Sequence, residues 1–131
     1  MSIFNLFKKK RELTIEEQQW NKMWDLWVEE KARSPYAELM TYETEINNGG
    51  HGQFFDNVSS DGDLPKTISK LNTVLSDVLK DNLNNAYEAY SRAGEDDETL
   101  EKIFDECDDV FYENESEIER ILKEYAKKIE L

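Results

Sequence analysis

Apolar residues recur at three- and four-residue intervals along almost the whole chain, and no stretch of four or more alternates convincingly. That period is helical, so the pattern predicts an all-α protein. Thr14-Ile15-Glu16-Glu17 reads as a capping box, with Thr14 at N-cap and Glu17 at N3. The helix it opens places Trp20, Met23, Trp24 and Trp27 on one stripe, which suits a core face, with a homodimer seam as the alternative. Ser34-Pro35 starts a second helix, Ser34 as N-cap and Pro35 at N1. Its apolar face is Tyr36, Leu39, Met40 and Ile46. Glu43 falls on that same face, where a buried carboxylate would need a partner.

Asn48-Gly49-Gly50 then reads as a helix stop, because glycine takes the left-handed C′ conformation without strain. Gln53-Phe54-Phe55 is expected as one short helical turn with both rings inward, and residues 57–62 as a polar loop. Asp63 caps a third helix carrying Ile68, Leu71, Leu75, Val78 and Leu79. A break near Asp81-Asn82 leads to a fourth with Leu83, Ala86, Tyr87 and Tyr90, which stops around Gly94. A fifth has Leu100, Ile103, Phe104, Cys107 and Phe111 on one side. A sixth has Ile118, Ile121, Leu122, Tyr125 and Ile129. The expectation is a single-domain bundle of about six amphipathic helices over residues 14–131, with a Gly-rich irregular segment after the second. Residues 1–13, where Ile3, Phe4, Leu6 and Phe7 precede Lys8 to Arg11, form an N-terminal arm.

Composition narrows the function classes. The formal net charge is −14 in 131 residues, and it is unevenly placed. Residues 1–33 are nearly balanced, while residues 95–119 hold thirteen Asp/Glu against Lys102 alone. Such an excess repels nucleic acid and anionic membrane and favours a basic protein partner. No apolar run approaches the roughly 20 residues that span a bilayer. The lone cysteine, Cys107, has no internal disulfide partner, and no secretory signal opens the chain, so a cytoplasmic protein is expected.

The residues that could carry chemistry fail in turn. Asn57-Val58-Ser59-Ser60-Asp61-Gly62 imitates the front of a calcium loop, but Ile68 stands where its bidentate Glu belongs. One His and one Cys build no zinc site. Cys107 lies on the apolar stripe of an acidic helix, which should raise its pKa and leave it inert. No phosphate-binding glycine loop occurs. No metal, cofactor or catalytic group is therefore expected. The one enzymatic alternative centres on Glu45, Asn48, His51 and Gln53, with His51 as an exposed loop base in a pocket where these side chains converge. Gln53 and Asn57 are otherwise expected to cap exposed backbone.

The acids remain. Glu98, Glu101, Asp105 and Asp109 project opposite the apolar stripe, and with Asp108 they are the expected partner-binding face. Thirteen anions over about 36 Å of helix, at roughly 1.5 Å per residue, approach the charge spacing of one DNA strand, roughly 3.4 Å.

Glu45-Ile46-x-Asn48-Gly49-Gly50-x-x-Gln53-Phe54-Phe55-x-Asn57, followed by Gly62, resembles the signature of the DNA-mimic protein domain family, a mostly bacterial set. The likeness covers roughly Trp24 to Arg92. It implies an all-helical fold, and a founding member that is a dimeric acidic protein competing with DNA for a transcription regulator. The family usually has an aromatic residue, often Phe, after Gly-Gly; here His51 stands there. The acid cluster at 95–119 lies outside the matched core, so the resemblance carries the fold and not the partner. The reading is a small acidic binding protein that occupies the basic surface of a DNA-binding regulator. A toxin-neutralising, immunity-type inhibitor is the alternative, since acid also steers fast association.

Overall fold

A computed structural model of the chain describes residues 12–92 and 97–131 and, among them, five α-helices and no strand. Residues 1–11 of the expected arm lie outside the described residues. Helix α1, Ile15–Val28, opens with the expected capping box. The Glu17 amide donates to Thr14 Oγ1 (3.0 Å) and the Thr14 amide to Glu17 Oε1 (2.9 Å).

Helix α2, Tyr36–Asp61, departs from expectation. Pro35, after a cis Ser34–Pro35 bond, occupies the N-cap, and the Ser34 hydroxyl bonds Glu38 Oε2 (2.8 Å) instead of a backbone amide. The glycines do not end the helix. Gly50 takes φ 80° and ψ −176° and the helix resumes at once, absorbing both the short turn and the polar loop expected at 57–62. Helix α3, Leu64–Asn72, is capped by Asp63 as expected.

The next break falls at residues 73–76 instead of Asp81-Asn82. Ser76 caps α4, Asp77–Ser91, through the Leu79 amide. Asn82 is no breaker: it is buried in α4 and its amide donates to the Cys107 carbonyl (2.8 Å). Val78, expected inside, is exposed. Helix α5, Asp97–Ala126, runs 30 residues and fuses the two helices expected at the C-terminus. Cys107, Phe111, Ile118, Leu122 and Tyr125 are all buried along it, so one stripe serves its whole length. Among the described residues five helices, not six, result.

The long helices α2 and α5 pack together, α1, α3 and α4 pack around them, and the core lies where they meet. Tyr42, Phe54, Phe55 and Phe111 are fully buried in it. Their rings meet edge-on or tilted at 5.0–5.4 Å, the geometry that aromatic quadrupoles favour. The tryptophan stripe of α1 is half-buried and packs on this core of its own chain. Trp27 donates to Thr41 Oγ1 (2.9 Å), and Gln19 caps the end of α5 through the carbonyls of Lys127 and Ile129. Tyr36 stacks on Tyr125 at 4.2 Å where α2 begins.

Candidate functional site, the Gly50 kink and the acidic helix

The kink at Gly50 organises everything the signature residues do. An extended ψ at Gly50 turns the next amide away from its helical acceptor, leaving a donor in the core that must be met. Asp108 of α5 meets it. One carboxylate oxygen, Oδ1, accepts from the His51 amide (2.9 Å) and contacts His51 Nδ1 (2.6 Å). On its other side the imidazole Nε2 lies 2.7 Å from the Tyr42 hydroxyl. Burial pushes the Tyr42 phenol well above its ordinary pKa, with Cys107 and Asp108 adding to the effect, so it stays protonated. Nε2 and the Tyr42 hydroxyl share one hydrogen bond, and the close contact with the Asp108 carboxylate puts a hydrogen on Nδ1, which donates to it. The result is a buried imidazole that ties the two long helices together through Asp108.

His51 is therefore not the exposed loop base that the sequence suggests. Both it and Tyr42 are fully buried, so no substrate reaches the Nε2 that a catalytic base would use. Its ring occupies the aromatic slot of the signature, edge-on to Tyr42 and Phe111 and tilted against Phe55. A Cβ on Gly50 would stand 2.5 Å from Asp108 Oδ2, so the kink and the Asp108 clamp both need glycine there.

The remaining signature residues divide. Glu45, Gln53 and Asn57 form one polar knot, with Glu45 Oε1 accepting from Gln53 Nε2 (2.9 Å) and Asn57 Nδ2 (2.8 Å). The two amides thus serve a carboxylate and not exposed backbone. Asn48 lies elsewhere, on an open groove of about 440 Å³ shared with Trp24, Glu43 and Glu115. Glu45, Asn48, His51 and Gln53 consequently do not converge on a common pocket. Phe54 and Phe55 are core, and Gly62 is the C-cap of α2, bonding Val58.

On α5 the structure separates the expected acidic face. Glu98, Glu101, Asp105 and Asp109 are exposed. Asp108 is the exception, its carboxylate spent on His51 inside the molecule. Among the described residues the Lys and Arg ion pairs are Lys31–Glu29, Lys80–Asp77, Arg92–Glu88 and Lys127–Glu124. None reaches the four exposed acids. Cys107 behaves as expected: burial pushes its thiol up to about 11, with Asp108 and Glu106 adding, which leaves it unreactive.

Glu43 acquires partners that its place in the sequence does not name. Glu43 is buried, and Glu115 and Glu119 of α5 face it, all three offering a ligand oxygen within 4.8 Å of one another. Its place on the apolar face of α2 was the available signal. Its acidic neighbours, 72 and 76 positions further along, gave none.

Residues 29–129 match the family described as DMP19-like protein, which covers the kink, the knot and all of α5. The chain belongs to the DMP19-like family. Comparison with curated proteins and with solved structures returned no match to either. Membership in the DMP19-like family thus extends past the signature to include the acidic helix, which motif reading alone had left outside it. No helix among the described residues is long and apolar enough to cross a membrane.

Proposed function

We propose that this DMP19-like protein is an acidic, non-enzymatic binding protein. The outer face of α5 stands in for a nucleic-acid backbone and occupies the basic surface of a DNA-binding protein. One observation carries the reading. Glu98, Glu101, Asp105 and Asp109 are exposed at helical spacing on one element, and none of them joins an ion pair among the described residues. Surface acids kept only for solubility can be interspersed with Lys and Arg; here Lys102 is the one cation among thirteen acids in residues 95–119. Asp108, first placed with them, instead anchors the helix that presents them.

A protein built this way holds charges pre-positioned for Lys and Arg side chains, and attraction should steer association. The test is capture of partners from a native cytoplasmic extract at low ionic strength, with elution by a salt gradient. A DNA-binding protein that releases its DNA when this chain is added supports mimicry. Equal capture by a variant carrying E98K, E101K and D105K would overturn it.

A further inference from the structure

We propose that Glu43, Glu115 and Glu119 form a binding site for a hard divalent cation that ties the middle of α2 to α5. This site is independent of the α5 outer face. Three carboxylates gather here, and among the described residues no Lys or Arg is ion-paired to any of them. Oxygens on a single ion at the roughly 2.0–2.6 Å of magnesium or calcium coordination sit no more than about 5 Å apart. The three ligand oxygens meet that limit, all lying within 4.8 Å.

The second observation is the state of Glu43. Its side chain is only 4% exposed, and Oε2 is buried with no N–H or other donor group to meet it. The groups facing it are the Glu115 and Glu119 carboxylates, which can be joined to it only through a shared proton or a cation. A charged oxygen in that position is costly unless something positive meets it. Glu43 also lines an open groove of about 440 Å³ with Thr44, Asn47 and Asn48, which has room for the water ligands a hard cation retains. Asn47 Nδ2 donates to Glu115 Oε2 (2.7 Å), the kind of outer contact that orients a ligating carboxylate. All donors are oxygen, which selects magnesium, calcium or manganese over zinc or copper.

A proton is the competitor. Burial and the two facing glutamates push the Glu43 carboxyl up to about 9, so without a cation it holds hydrogen at neutral pH. Cation binding must displace that proton, and affinity should therefore rise with pH.

The test is calorimetric titration of the full chain with Ca²⁺, Mg²⁺ and Mn²⁺ separately, at pH 6.5 and pH 8.5. Terbium luminescence sensitised by Trp24, which lines the groove, is read in parallel. The expected result is one saturable site, tighter at the higher pH, with affinity reduced at least tenfold in E43Q and in E119Q. A variant with E98Q, E101Q and D105N should bind as wild type. Helical circular dichroism establishes that each variant is folded, and E119Q serves if E43Q is not. Absence of saturable binding at millimolar cation overturns the proposal and leaves a proton as what the three carboxylates share. Binding that survives E43Q and E119Q but is lost with the outer-face acids overturns it as well.

Discussion

Asp108 shows how much one side chain can be asked to do. Its Oδ1 takes the amide released by the kink and the imidazole N–H of the same residue. Truncating it strands two donors in the core, each costing about 1–3 kcal/mol. D108A should lose on the order of 3 kcal/mol of stability in urea unfolding, whereas D109A, one residue along on the exposed face, should stay within about 0.5 kcal/mol. Similar losses for the two would mean that the clamp contributes nothing. Gly50 makes the matching case from the other helix. G50A must hold a positive φ, costing about 1–3 kcal/mol, and must also push its Cβ against Asp108. Its melting temperature should fall by several degrees, and G50A combined with D108A should lose less than the sum of the two, because they share one contact.

Helix faces are local, and they were legible. The long stripes read from the sequence in α1, α2, α4 and α5 face the core, buried or half-buried, while Val78 is exposed. Helix ends were less so. Gly50 reads as a stop because a C′ glycine and a kink glycine both use a left-handed φ, and the difference is made by Asp108, 58 positions away. His51 looked exposed because glycines flank it, yet it stands three and four positions before Phe54 and Phe55, on their face of a continuing helix. Reading the segment as one helix would have buried it.

The α2–α5 contact also sets a pH dependence. Glu43 of α2 faces Glu115 and Glu119 of α5, and burial raises its carboxyl to about 9 from 4.5. The folded state then holds a proton that the unfolded chain has already released, so stability falls as pH rises from about 4.5 toward 9. E43Q carries no such proton. It should be more stable than wild type at pH 8 without added divalent cation, by on the order of 2 kcal/mol, with the two converging near pH 4.5. Thermal melts across that range check it, and parallel curves for the two proteins would refute it.

For the whole molecule, charge is the property that separates folding from function. A net −14 on a 131-residue chain repels itself, and none of Glu98, Glu101, Asp105 or Asp109 takes part in a described ion pair that holds the fold. Each reversal to Lys shifts the net charge by two, so E98K, E101K and D105K together bring it to about −8. If the acids exist only for the structure, that change should damage it. If they exist for a partner, the melting temperature at low salt should hold or rise as repulsion eases, while capture of the basic partner collapses. Wild-type capture should weaken steeply as salt rises, because exposed charges are screened within about 8 Å at physiological ionic strength. Melting curves and salt-gradient capture on the same two proteins decide between these. A stable triple variant that has lost its partner assigns the α5 face to binding, and one that melts early or still captures removes that assignment.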